Sequence, residues 1–207
     1  MITIVVRVWM PDRPGALGQV ASRVGAVRGD VLSIEVLEQG GGRAIDELTV
    51  ALPSRDLMRL LTAEIDAVDG VSVESIREVD EERTDPSLSA LALGAAIVEC
   101  APAERLDVLI AGVQRFTETD WVAVVRDGQF VAQLGDAPDL QWLSAFVAGS
   151  EHLDGLDDSA PSDVLWASLP ASQMTVAAGR AGNPIHERER VRFSLLARLA
   201  DGIISAG

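Results

Sequence analysis

The chain has 207 residues, 48% of them apolar, with 17 basic and 32 acidic side chains and a formal charge of −15; every basic residue is arginine, and lysine and tyrosine do not occur. So negative a balance argues against nucleic acid or anionic lipid as the main partner, because both repel acidic proteins. The missing lysine excludes Schiff-base chemistry, pyridoxal attachment and the phosphate-binding lysine of P-loops.

The length suits two small domains better than one. A single cysteine, Cys100, cannot form an internal disulfide, so nothing points to an oxidising compartment. The opening MITIVVRVWMPDRPG has no basic lead, and Arg7 interrupts its apolar run, so it does not read as a signal peptide. The longest uncharged apolar stretch, Leu88 to Val98, is about half of what a membrane-spanning helix requires. These features predict a soluble cytoplasmic protein with no membrane partner.

Ile2, Ile4, Val6 and Val8 alternate with Thr3, Val5, Arg7 and Trp9, which predicts a strand. Met10-Pro11-Asp12-Arg13-Pro14-Gly15 then breaks the pattern. Leu17, Val20, Val24 and Val27 share one face of a helix that ends near Gly29. A second strand carries Leu32, Ile34 and Val36 on one face, and Gly40-Gly41-Gly42 supplies the positive φ angles of a hairpin. Leu48, Val50 and Leu52 mark the third strand; Leu57, Leu61, Ile65 and Val68 a second amphipathic helix; Val71 and Val73 the start of a fourth strand towards Val79. The order βαββαβ is the split arrangement of ferredoxin-like folds.

A strand, then Asp12-Arg13-Pro14-Gly15-x-Leu17, a helix, and Gly29-Asp30-Val31-Leu32-Ser33-Ile34 resembles an ACT domain, the small amino-acid-sensing regulatory module, across nearly all of residues 1–80. The resemblance implies a ligand site around Met10, Asp12, Arg13, Pro14, Gly15, Ala16, Leu17, Asp30, Val31 and Leu32. It also implies that two copies meet at that site. Since residues 81–207 do not repeat the D-R-P-G pattern, a homodimer is the simplest pairing. Members often carry asparagine where this chain has Asp30, so their ligand preference does not transfer.

Independent chemistry supports a site at the turn. A ligand carboxylate is held by the N–H groups and dipole of a helix N-terminus after a Gly-containing turn, while an ammonium finds acceptors in Asp12, Asp30 or strand carbonyls. The same residues also read as plain structure, with Pro14 and Gly15 starting the helix, Asp12 capping it and Asp30 turning the chain.

Glu78 to Pro86 carries five acids, Glu78, Asp80, Glu81, Glu82 and Asp85, and reads as a solvated linker, setting an ACT domain at 1–80, a linker at 81–87 and a second domain at 88–207. Leu91 to Val98 fits strand or helix equally. Leu106, Leu109, Ile110 and Val113 lie at helical spacing, and Trp121–Val125 and Phe130–Ala132 flank the hairpin signal Asp127-Gly128. Leu140, Leu143 and Val147 suggest a helix, and Val164–Leu169 and Met174–Ala178 two strands. The last helix carries Phe193, Leu196, Leu199 and Ile203 on one face, with Asn183 as its expected cap and Pro184 in its first turn. A hairpin, later antiparallel strands and a long final helix resemble a GAF-like domain, most closely over Val176 to Ile203. The fold class expected is α+β, a ferredoxin-like ACT domain followed by an α/β GAF-like domain with an antiparallel sheet.

Catalytic and metal signatures are missing. His186-Glu187 is followed by Arg190 where a zinc-binding helix needs histidine, and the other histidine is His152. Cys100 lies among Ala95, Ala96, Ile97 and Val98 and reads as a small buried core residue. Ser150 to Asp163 holds five acids without EF-hand spacing and reads as a solvated loop. Trp9, Trp121, Trp142 and Trp166 read as core or interface anchors.

Two readings follow. In the first, the chain is a non-catalytic regulatory protein, without cofactor or metal, that binds a small amino acid at an ACT dimer interface and signals by a shift between conformations. In the second, the ACT domain only dimerises, and the C-terminal domain binds a partner enzyme or regulator. An enzyme in the second half would rest on Cys100, His152 and His186 alone.

Overall fold

The computed structural model describes residues 1–80, 83, 85–150 and 163–206. They form two compact units, Met1–Arg83 and Thr84–Gly207. Glu81 and Glu82 of the expected linker, and nearly all of the acidic Ser150 to Asp163 segment, lie outside the described residues.

The first unit runs β1 (Ile2–Pro11), α1 (Ala16–Ala26), β2 (Asp30–Gly40), β3 (Arg43–Leu52), α2 (Leu57–Asp66) and β4 (Ser72–Val79). The strands form one antiparallel sheet in the order β2-β3-β1-β4, which is the ferredoxin-like topology. Ile4, Val6, Val8 and Met10 of β1 and Ala44, Leu48, Val50 and Leu52 of β3 pack against Ala16, Val20 and Val24 of α1 and Leu61 and Ile65 of α2. Gly41 and Gly42 take positive φ angles in the β2–β3 turn.

Two expectations for this unit change. Alternation predicted one buried face on β1, yet Val5 and Arg7 on the opposite face are also buried. Arg7 is tolerated there because its Nε donates to Glu47 Oε2 at 2.8 Å. On β2, bulges between Val31 and Ser33 and between Val36 and Glu38 break the simple period, and Leu32, Ile34 and Val36 are exposed rather than in the core.

The second unit runs α3 (Pro86–Glu99), a short 3-10 turn (Pro102–Glu104), α4 (Arg105–Thr117), β5 (Trp121–Arg126), β6 (Gln129–Leu134), α5 (Leu140–Ser150), β7 (Val164–Leu169), β8 (Met174–Gly179) and α6 (Glu187–Ser205). Its antiparallel sheet has the order β6-β5-β8-β7. Val122, Val124, Leu165, Val176 and Ala178 face α3, α4 and α6, while Trp121, Ala123, Val164 and Ala177 face Leu143 and Phe146 of α5. Both faces are covered, so Trp121–Val125 of β5 and Val176–Ala178 of β8 are continuous apolar runs.

The ambiguous Leu91 to Val98 segment is helical. Asp85 fixes its start by accepting from the backbone N–H groups of Ser87 and Leu88, with Pro86 in the first turn. The final helix starts later than expected. The carbonyls of Asn183 and Pro184 accept from Arg180, which holds both residues in a loop, and the first turn is closed by the His186 N–H donating to Glu189 Oε2 at 3.0 Å. Cys100 closes α3 and is half-buried, its Sγ against the Ile97 carbonyl, and so is not the core residue its neighbours implied.

Candidate functional site

β1 ends on Met10, buried at the end of its inner row, and on Pro11, which pairs with Arg43. The chain then turns sharply: the Asp12 N–H donates to Gly42 O at 3.0 Å, and the Ala16 N–H to Arg13 O at 3.2 Å. Gly15 is the N-cap of α1 and sits at φ 86°, the left-handed region where glycine carries no steric penalty. A Cβ at Gly15 would meet nothing within 4 Å, so the space in front of the helix is open.

No side chain caps α1, and no acid occupies its first turn. Asp12 does not cap it, as the plain structural reading expected; its Oδ1 accepts from Gln39 Nε2 at 2.9 Å across the β2–β3 end of the sheet. The first turn of α1 therefore carries no acid of its own to offset the positive end of its dipole. Asp12, Arg13, Pro14 and Gly15 are exposed, whereas Ala16 is buried and Leu17 half-buried against the core.

Asp30, Val31 and Leu32 lie elsewhere. Asp30 pairs with Ala51, which pairs in turn with Thr3 at the start of β1, while the turn follows Pro11, which pairs with Arg43. Along β3 the two places are eight residues apart, or about 26 Å at the usual strand rise. One copy of the chain thus brings Met10, Asp12, Arg13, Pro14, Gly15, Ala16 and Leu17 together and keeps Asp30, Val31 and Leu32 at the opposite end of the sheet.

A residue that the sequence reading passed over lies near the turn. Asp46 pairs with Val8 on β1 and Val36 on β2, on the inner row of β3 between Ala44 and Leu48. It is only 4% exposed, and its Oδ1 has no hydrogen-bond partner. Burial, and then the nearby negative charge of Asp12, push its carboxyl above the ordinary carboxylate value. The signal was present in the sequence: an acid at 46 interrupts the row Ala44, Leu48, Val50, Leu52 at an inward position.

Trp9 belongs to the opposite face of the sheet. Its Nε1 donates to Glu74 Oε1 at 2.9 Å, and the Arg43 guanidinium lies 5.2 Å from the ring centre. In the second unit, Cys100 ends α3 and His186 opens α6, while His152 lies outside the described residues. Among the described residues no group of three or more His, Cys, Asp or Glu could hold a metal ion, and no helix is long and apolar enough to cross a membrane.

No protein-family profile and no curated protein matches the chain. Among solved structures, the ACT domain from GTP pyrophosphokinase of Chlorobium tepidum is similar at 15% identity and a TM-score of 0.31, over 38% of this chain and 97% of that one. An ACT domain protein from Streptococcus pneumoniae is similar at 12% identity and a TM-score of 0.31, over 37% of this chain and 89% of that one. An unknown protein from Galdieria sulphuraria covers more, 86% of this chain and 79% of its own, at 14% identity and a TM-score of 0.35. The ferredoxin-like assignment of the first unit rests on its own strand order and register.

Proposed function

We propose that this chain is a non-catalytic regulatory protein whose first unit works as an ACT-type sensor of a small amino acid, with the ligand shared between two copies. The observation that carries the reading is the start of α1: an uncapped helix N-terminus behind a left-handed Gly15, with open space where a side chain would stand. Such a start offers N–H donors to a carboxylate, and acidic side chains near the turn offer acceptors to an ammonium. Because Asp30, Val31 and Leu32 lie at the far end of the sheet, the reading places them in the partner's half of each site.

Calorimetry of the full chain against the twenty amino acids tests this directly. Binding of at least one with a Kd of about 1 mM or tighter is expected; binding of none overturns the sensing claim. Gly15→Asp should abolish the response while the oligomeric state, followed by light scattering, stays unchanged. Gly15→Ala controls for backbone strain.

One observation favours a second reading. β2 is an edge strand, and Leu32, Ile34 and Val36 on it are exposed, which suits pairing with another copy even without a ligand. In that case the first unit is a dimerisation scaffold, and the GAF-like second unit engages an enzyme or regulator. Gly15→Asp would then leave function intact as long as the dimer forms.

A further inference from the structure

We infer that Asp46 is the group that receives the ligand's cationic end, so that the site selects a zwitterion carrying a primary ammonium beside its carboxylate. The inference rests on the sensing reading above and names the chemistry that the site selects.

An isolated helix N-terminus favours any small anion, whether carboxylate, phosphate or sulfate. Here two carboxylates, near enough to repel each other, belong to the turn before the helix and to the strand behind it. Asp12 is exposed and tied to Gln39. Asp46 is nine-tenths or more buried with one oxygen unbonded, and among the described residues no hydrogen bond or ion pair engages it. A simple anion entering near this pair is repelled. A zwitterion answers both ends, with its carboxylate on the α1 N–H groups and its ammonium on Asp46.

The position of Asp46 also argues against a purely structural role. A buried carboxylate lowers stability unless it is paired, and nearby Arg7, on the other face of the sheet, is committed to Glu47 instead. Asp46 has on one side the small Ala44 and on its β2 side Val36, which is 41% exposed. Ile34, on the same face, is 43% exposed. These two side chains leave an apolar wall beside the carboxylate, which fits a small aliphatic body on the ligand better than a charged one.

The test uses the full chain, Asp46→Asn, and the twenty amino acids as probes. The tightest-binding amino acid is then compared with its own des-amino carboxylic acid on the wild-type protein. The expected result is a loss of about tenfold or more in affinity for Asp46→Asn, a similar loss for the des-amino acid, and a melting temperature for the unliganded variant equal to or above wild type. If the wild type binds an amino acid and Asp46→Asn binds it equally well, this inference falls and the sensing reading stands. Equal binding of the des-amino acid also overturns it, as does a lowered melting temperature or failure to fold, since either would make Asp46 structural. If the wild type binds none of the twenty, the sensing reading falls, and the role of Asp46 with it.

Discussion

Arg7 and Glu47 stand directly opposite each other on β1 and β3, both almost fully buried, with Arg7 Nε 2.8 Å from Glu47 Oε2. The second oxygen of Glu47 accepts from Arg83 at 2.9 Å, so one carboxylate joins the sheet to the segment that follows β4. Removing one partner of a buried pair strands the other charge. Glu47→Ala is expected to destabilise the first unit by about 3–5 kcal/mol, measured by urea unfolding. The double change Arg7→Met with Glu47→Leu should recover most of that loss.

Arg180 organises the start of the last helix. Its guanidinium donates to the carbonyls of Thr117, Asn183 and Pro184 and to both carboxylate oxygens of Glu189. Lysine keeps the charge but has neither the planar fork nor enough donors. Arg180→Lys should lower the stability of the second unit by about 2–3 kcal/mol, read from its denaturant midpoint.

Asp201, near the end of α6, accepts from the backbone N–H groups of Ala171 and Ser172 in the β7–β8 turn, each at 2.9 Å. Burial pushes its carboxyl upward, but these bonds outweigh burial and hold it below the ordinary carboxylate value. A carboxyl lowered in the folded state stabilises the fold above its unfolded value and loses that contribution as the pH falls through the folded one. Acid melts should therefore show wild type losing stability more steeply than Asp201→Asn as the pH falls below the ordinary carboxylate range, while at neutral pH the variant is the less stable.

Gly135, just after β6, has φ +75°, and a Cβ there would lie 2.1 Å from the Asp120 carbonyl oxygen. Neither the backbone conformation nor the neighbouring carbonyl can yield cheaply. Gly135→Ala should cost the second unit about 2 kcal/mol or more, whereas alanine at Gly128, where nothing lies within 4 Å, should cost only the backbone strain. Thermal melts of the two variants give the comparison.

Much of the fold was legible because the period of apolar residues follows the geometry of each element. Val20 and Val24 identified α1, Leu61 and Ile65 identified α2, and Asp127-Gly128 marked the β5–β6 hairpin, where both residues take positive φ. Features decided by long-range partners were not legible. The burial of Arg7 depends on Glu47, 40 positions later. The start of α6 depends on Arg180 holding Asn183 and Pro184. The exposure of Ile34 and Val36 depends on β2 being an edge strand, which no local pattern encodes. For the site, the turn at Asp12 to Gly15 was visible in the sequence, but the distance to Asp30 and the nearness of Asp46 follow from strand register alone.

The separation of the Gly15 turn from Asp30 along the sheet has a consequence for stoichiometry. If each site draws one half from either copy, a symmetric pair holds two equivalent sites, and a lone copy holds none complete. Ligand and self-association are then thermodynamically linked: dilution would weaken apparent ligand affinity, and saturating ligand would tighten the pair. A titration repeated over a hundredfold range of protein concentration would reveal this as a drift in the midpoint, one that a site closed within a single copy would not show.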